Sequence, residues 1–157
     1  HIHTGKISAV GAATGAVAGL VAITPASGFV GPMGAIAVGL GAGVLTFYAV
    51  RFRHKFGFDD ALEVMAVHGI GGIWGALATG IFAVGGIGLI DGDATVLGYN
   101  AVAVLATIAY SFIVTFVILK ILDVIPGLGL RADEADEDAG LDVSLHGERG
   151  YVGDGAD

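Results

Sequence analysis

The longest uncharged segment of the chain is the feature that most constrains its fold. From Ile7 to Val50 the sequence contains no Asp, Glu, Lys or Arg, a length about twice the ~20 residues that one helix needs to cross ~30 Å of hydrocarbon. The run Thr24–Pro32 divides it, because its prolines remove backbone donors and restrict the preceding residues while its glycines relax the turn. The segment therefore predicts a hairpin of two membrane-spanning helices.

The composition favours a membrane protein over a water-soluble one. Of the 157 residues, 55% are hydrophobic and 14% are charged, whereas a soluble domain carries about a quarter charged residues. The 28 glycines run through the apolar stretches and do not gather in turns. Because the chain contains no cysteine, disulfides and thiolate metal sites are excluded. We expect an all-α membrane protein.

Four transmembrane helices are predicted, and the basic residues orient them. The helices are expected at residues 7–24, 32–51, 60–84 and 97–122. Basic residues are biased to cytoplasmic loops, and all seven of them fall on one side of this arrangement: Lys6, Arg51, Arg53, Lys55, Lys120, Arg131 and Arg149. Both ends of the chain are therefore predicted to be cytoplasmic.

The two ends are predicted to be a short lead-in, residues 1–6, and an acidic cytoplasmic tail, residues 123–157. Nine of the 15 acidic residues follow Arg131, so most of the net charge of −8 belongs to the tail. The stretch Ala132–Asp138 is rich in acid and poor in apolar residues. Alone, that stretch is expected to be disordered.

Small residues recur every three or four positions in the first three predicted helices. In lipid, such spacing lets helices approach closely. We expect packing contacts at Gly11, Gly15, Gly19, Gly34, Gly39 and Gly43. In the third helix, Gly71, Gly72 and Gly75 lie three, four and seven residues after His68 and share its helical face. That strip either admits a neighbouring helix or lines a narrow passage.

His68 is the only ionisable residue between Val64 and Ile90. An ionisable group at membrane depth is costly and usually marks a pathway, a relay or a partner, although a simple packing role stays open. A neutral imidazole has one donor and one acceptor nitrogen, which suits the passage of a small polar molecule or a proton. The other histidines lie in the terminal segments or the basic loop, so we expect no metal site and no cofactor.

Three acidic residues open the predicted third helix. Asp59 or Asp60 is expected to cap its amides, and acids in the first turn favour the positive end of the helix dipole. A direct part in transport is the alternative. Glu63 lies one turn before His68, at an angle that does not reach it on a straight helix.

Two further side chains are assigned structural roles. Thr24 is expected to bond to a carbonyl that Pro25 leaves without its donor. Trp74 is too deep for an interfacial belt, so it is expected to pack in the core, where its indole N–H needs a partner.

The motif around His68 resembles that of a known family. The stretch Asp59-Asp60-Ala-Leu-Glu-Val-Met-Ala-Val-His68-Gly-Ile-Gly-Gly resembles the signature of the second pore histidine in the ammonium transporter family, which is related to the Rh glycoproteins. Three other segments resemble that family in the same order: Gly15-Ala-Val-Ala-Gly-Leu-Val-Ala-Ile-Thr24-Pro-Ala, Gly31-Pro-Met-Gly-Ala and Gly140-Leu-Asp142-Val-Ser-Leu-His146-Gly-Glu-Arg-Gly-Tyr151. The chain is thus similar to the last four of the family's eleven membrane helices plus its tail, and we expect it to be a piece of a longer protein.

The resemblance implies a bundle with an inverted internal repeat, assembled as a trimer with one pore per subunit. In the family, two histidines from opposite halves share a hydrogen bond and line a hydrophobic pore, and His68 matches one of them. The residues expected to line the pore are Val64, His68, Gly71 and Gly72. The residues expected to support it are Asp60, Glu63 and Thr24. The family usually has an aspartate where this chain has Glu63, which changes the reach of the acid.

The resemblance also implies partners and a function. The leading hypothesis is ammonium or ammonia transport across the plasma membrane, in the service of nitrogen metabolism. The alternatives are an ammonium sensor of the same family and a structural bundle in which His68 only packs. A PII-type nitrogen-regulatory protein is expected to act at the tail, for which a solubilising role is the alternative. The regulatory residues expected there are Asp142, Ser144, His146 and Tyr151. We expect no enzyme activity, because no nucleophile and base pair lies at depth, and no nucleic-acid partner.

Overall fold

Helices make up the regular structure of the described residues. The computed structural model describes residues 8–57 and 59–150, apart from the side chain of His54. In chain order these ranges contain α1 (Ala9–Ala26), α2 (Pro32–Phe56), a first π-helical segment (Met65–Ile70), α3 (Gly71–Phe82), a 3-10 turn (Leu89–Asp91), α4 (Thr95–Asp123), α5 (Glu134–Ala139) and a second π-helical segment (Asp142–His146). The predicted lead-in, residues 1–6, lies outside the described residues.

Four stretches are long and apolar enough to cross a membrane. They are Ala9–Ala26, Pro32–Arg53, Met65–Phe82 and Thr95–Asp123. The described ranges contain no strand, only an isolated bridge between Val30 and Ala83. The predicted all-α class with four candidate spans is confirmed. The chain divides after Ile108 into two compact units.

α1 ends just beyond Pro25, two residues after its predicted end. A proline cannot donate to the carbonyl four residues before it, which here is that of Val21. The hydroxyl of Thr24 donates instead to the carbonyl of Leu20, at 2.7 Å. The expected bond to the carbonyl that Pro25 leaves is therefore wrong, because a threonine hydroxyl in a helix reaches back four residues from its own position.

Alanines form much of the contact between α1, α2 and α3. Ala18, Ala22 and Ala26 recur every four residues along α1 and are fully buried. The central cluster of buried residues is Ala22, Val38, Ala42 and Ala78. Side chains this small let the three helix backbones approach one another.

The predicted glycine stripes of α1 and α2 lie mostly away from this contact. A Cβ on five of these glycines would meet no neighbouring helix: Gly11, Gly15, Gly19, Gly39 and Gly43. Gly34 does pack as expected, since a Cβ there would lie 3.2 Å from the Cβ of Phe82 in α3. Within the described residues the other five glycines therefore contact no other helix, and on α1 the buried alanines make the contact instead.

Among α1, α2 and α3, two further glycines permit close helix contacts. A Cβ on Gly75 of α3 would overlap the backbone of Ala22 in α1, and one on Gly41 of α2 would overlap the indole of Trp74. The indole N–H donates to the carbonyl of Val38 at 2.9 Å, which confirms the predicted packing of Trp74 and supplies its partner. At Gly75, the glycine strip of the third span therefore admits a neighbouring helix.

The start of α4 is held by a cap and by a bond to α3. A carboxylate oxygen of Asp93 accepts the amide of Thr95 at 2.8 Å. Hydrogen bonds from the Thr95 side chain and amide hold the pKa of the Asp93 carboxyl below its ordinary value. The Asn100 side chain donates to the carbonyl of Ala76 at 2.8 Å. Together these contacts fix α4 against α3 at this end.

The second unit contains the rest of α4 and the described part of the tail. The acidic stretch Ala132–Asp138 contributes most of α5 in the folded chain, whereas the predicted disorder concerns that stretch alone. The Nε of Arg131 lies 2.8 Å from a carboxylate oxygen of Glu137, which offsets part of the local negative charge. Acids in the first turn also favour the positive end of the helix dipole.

Candidate functional site

His68 lies in the first π-helical segment, where the sequence predicts a regular helix. π-helical turns are rare and frequently occur at functional sites. The preceding residues Ala66 and Val67 are each only 3% exposed, whereas His68 is exposed. Among the described residues, its imidazole has no hydrogen bond or ion pair. The segment thus buries its alanine and valine and presents the histidine on an open face.

The predicted pore-lining neighbours of this histidine divide into two kinds. Val64 is 52% exposed, and a Cβ on Gly72 would meet nothing within 4 Å. Gly71 is buried instead, since a Cβ there would lie 3.5 Å from Val21 and 3.6 Å from Thr46. The structure therefore exposes Val64, leaves open space beside the half-buried Gly72, and uses Gly71 for packing against α1 and α2.

Asp60 caps the segment that carries the histidine. Its two carboxylate oxygens accept the amides of Val64 and Met65, each at 2.8 Å. These amides belong to the first turn and have no helical acceptor of their own. This is the capping contact that the sequence predicts, but the helix that it caps begins several residues after Asp60.

Glu63 forms an ion pair with Arg53 at the end of α2. The Nη2 of Arg53 lies 2.6 Å from a carboxylate oxygen of Glu63, and the side chains are only 14% and 18% exposed. The φ of Glu63 is +58°, in the left-handed region that few residues other than glycine adopt. Sequence reasoning missed Arg53 as a functional candidate. The available signal was a basic residue near the end of one span and an acid opening the next.

An apolar groove of about 370 Å³ lies between α2 and the first π-helical segment. Most of its lining is apolar, and among the described lining residues only Arg53 is charged. Its larger lining side chains are Tyr48, Phe52, Phe56, Met65 and Ile70. His68 is not among the lining residues, so this groove is not the passage expected beside the histidine.

Other site predictions concern the tail and metal binding. Asp142 and His146 bound the second π-helical segment, and the hydroxyl of Ser144 between them donates to the carbonyl of Asp136 at 3.2 Å. Tyr151 lies outside the described residues. Across the part of the chain that the structure describes, no three His, Asp or Glu residues are grouped so that they could hold a metal ion.

The fold and the site together define the class of protein. Apolar helices of membrane-spanning length, with an ionisable histidine inside one of them, are typical of integral membrane transport proteins. The model of the Ammonium Transporter Family matches residues 1–151. The chain belongs to the ammonium transporter family.

Relatives and solved structures support this membership. The chain is 48% identical over 153 residues to the ammonium transporter of Bacillus subtilis, covering 93% of this chain and 37% of that protein. It is 44% identical to ammonium transporter Amt1 of Archaeoglobus fulgidus, covering 94% of this chain and 38% of Amt1. The crystal structure of Candida albicans Mep2 is similar with a TM-score of 0.76 at 37% identity, over 84% of this chain and 31% of Mep2. The chain thus spans a little over a third of the length of these curated relatives.

Proposed function

We propose that this chain forms the last four membrane helices of an ammonium transporter and carries one of the two histidines that line its pore. The observation that carries the proposal is the placement of His68, which is exposed on a π-helical segment within a candidate span. The second histidine belongs to the other half of the family's eleven-helix inverted repeat. Proteins named ammonium transporters at 40–48% identity support this substrate.

The chemistry of a dry pore favours ammonia over its cation as the species that crosses the centre. Moving an unpaired charge into low dielectric costs many kcal/mol, far more than one imidazole returns. A neutral imidazole instead offers one donor and one acceptor nitrogen to a small polar molecule. His68 therefore replaces part of the hydrogen bonding that the nitrogen loses when it leaves water.

The residues around His68 take supporting roles in this proposal. Val64 and Gly72 line the passage beside it, while Gly71 packs α3 against α1 and α2. Asp60 and Glu63 set the start of the segment. Thr24 supports α1 through its bond to Leu20.

The whole protein is proposed to work as a homotrimer in the plasma membrane, with the tail in the cytoplasm. The basic residues at the ends of the spans support this orientation. A PII-type regulatory protein is the proposed partner at the cytoplasmic face. The second π-helical segment of the tail, with Asp142, Ser144 and His146, and Tyr151 beyond it, is the proposed regulatory element.

The test uses the full-length parent protein in proteoliposomes on a solid-supported membrane. We expect an ammonium pulse to evoke a current in the wild type that is abolished or strongly altered by His68→Ala. Val117→Ala, which shortens an exposed side chain of α4, serves as the matched control and should conduct normally. A folded His68→Ala protein with unchanged current and ammonia flux would overturn the role of His68. A wild type that moves no ammonium nitrogen would overturn the function.

A further inference from the structure

We propose that Arg53 is a positioning residue of the conduction path, which fixes the place of His68 through its ion pair with Glu63. This inference rests on the proposed function of His68. Arg53 lies in the last turns of α2, and Glu63 lies five residues before the histidine. The pair therefore joins α2 directly to the chain that leads into the first π-helical segment.

The contact between the two side chains is short and well shielded. A guanidinium nitrogen and a carboxylate oxygen are 2.6 Å apart, with 14% and 18% of the side chains exposed. An ion pair this close and this buried constrains geometry far more than an exposed surface pair does. Lys55, two residues further along α2, is exposed and contacts the ring of Phe52, so it offers a charge-matched comparison.

The backbone of Glu63 explains why such a constraint matters. A non-glycine residue with φ of +58° is strained and persists only where its surroundings hold it. The carbonyl of this strained residue accepts the amide of Val67 at 2.8 Å, the residue immediately before His68. The carboxylate of Asp60 accepts the amides of Val64 and Met65, the two residues after Glu63. The direction in which the π-helical segment starts therefore depends on the conformation that the Arg53 pair secures at Glu63.

A second anchor on α2 holds the chain beyond the histidine. The indole of Trp74 donates to the carbonyl of Val38 and packs on Gly41. Besides the packing of Ala66, Val67 and Gly71, the His68 segment is thus held to α2 by two polar contacts, one at Arg53 and one at the carbonyl of Val38. When the first anchor is lost, the second stays in place, so the segment between them shifts or untwists instead of moving as a rigid body.

The experiment compares variants of the full-length protein in proteoliposomes, with the ammonium-evoked current divided by the amount of folded protein. We expect Arg53→Gln and Glu63→Gln each to lower this current about ten- to a hundred-fold, because a displacement of about 1 Å at a reacting group has effects of up to about a hundred-fold. The double variant should be no worse than either single one, since both remove the same pair. Arg53→Lys should restore most of the current, and Lys55→Gln should match the wild type.

A second measurement separates positioning from simple stabilisation. Glu63→Asp shortens the acid by one methylene and removes the 2.6 Å contact with little change in charge. If Arg53 positions His68, this variant should shift the ammonium concentration for half-maximal current and the pH profile of the folded protein. The proposal is overturned if Glu63→Asp keeps the wild-type profile, or if Arg53→Gln lowers only the amount of folded protein.

The proposed function and this inference fail in distinguishable ways. Suppose that the wild type conducts and His68→Ala does not. Normal conduction by Arg53→Gln would then overturn only the role of Arg53. A reduced current in Arg53→Gln with a normal current in Glu63→Gln would also overturn that role, because Arg53 would then not act on His68 through its ion pair with Glu63. Absence of any ammonium-evoked transport by the wild type would overturn the function itself.

Discussion

At the scale of single residues, Gly75 marks a place where two helices touch without room for a side chain. A Cβ there would overlap the backbone of Ala22, which cannot move aside as a flexible side chain can. We predict that Gly75→Ala lowers the free energy of unfolding of the full-length protein by about 1–3 kcal/mol, the usual cost of overpacking. Thermal unfolding in detergent measures the effect.

The control for this substitution is Gly15→Ala in α1, where a Cβ would meet nothing within 4 Å. Alanine in a helix interior is favoured over glycine by about 0.5–1 kcal/mol. This preference stabilises both variants, so overpacking at Gly75 must exceed it for Gly75→Ala to lose stability. An unfolding midpoint for Gly75→Ala at or above that of the wild type would show that α1 and α3 do not approach this closely.

Trp74 contributes a hydrogen bond as well as packing. Trp74→Phe keeps an aromatic ring but removes the donor to the carbonyl of Val38. We expect a loss of about 1 kcal/mol in the free energy of unfolding, the typical net worth of one hydrogen bond. Tyr99→Phe, at a residue that is 72% exposed, is the control and should leave the unfolding midpoint unchanged. Equal midpoints for all three proteins would contradict the prediction.

Residue chemistry made some of these contacts predictable and left others open. An indole N–H needs a partner and the amides of a first helical turn need a cap. Both needs are local rules, so the packing of Trp74 and the cap by Asp60 could be predicted from the sequence. The partner of Glu63 could not be predicted, because three basic residues near the end of α2 precede it and only the fold selects Arg53. The face of α1 that contacts α2 and α3 could not be predicted from the sequence either, because glycines and alanines repeat along α1 with the same spacing.

At the scale of elements, the third span shows what periodicity cannot specify. An apolar run from residue 60 onward predicts one continuous helix. The positive φ of Glu63 and the two amides that Asp60 caps instead delay the start of the helix until after Glu63. The result is a π-helical start followed by α3. Nothing in the hydrophobic pattern distinguishes this arrangement from a continuous α-helix, although it sets which residues stand beside His68.

The first turn of α4 should loosen in acid. Hydrogen bonds from Thr95 depress the pKa of Asp93 in the folded chain, so the charged carboxylate stabilises the cap above the unfolded pKa of about 3.9. This contribution is lost as the pH falls through the folded pKa. We predict faster amide hydrogen exchange at Thr95, corrected for the intrinsic pH dependence, below about pH 4.

Asp93→Ala should give the fast exchange at every pH and remove its pH dependence. Asp123→Asn, at the other end of α4, is the control and should behave as the wild type at Thr95. A Thr95 amide whose corrected exchange does not change between neutral and acid pH would contradict the cap.

At the scale of the whole molecule, the described part of the chain exposes many large apolar side chains. None of the residues of α4 is buried, and His68 and Val64 stand on open surface. Yet the chain spans only 37–38% of the length of two of its relatives. The four spans were predictable because length and apolarity are intrinsic to each helix. Which face meets lipid and which meets protein was not predictable, because in the proposed transporter that depends on helices outside this chain.

A pore needs walls on every side, and this leads to a prediction for the isolated chain. Reconstituted alone, residues 1–157 should give no ammonium-evoked current, while the full-length protein at the same protein-to-lipid ratio should conduct. The physical reason is that an open face beside His68 offers neither a dry passage nor the second imidazole of the proposed pair. Flotation with the liposomes controls for insertion of the chain. A current from the inserted chain that His68→Ala removes would show that copies of these four helices enclose a passage by themselves, and the proposed need for the other half would be wrong.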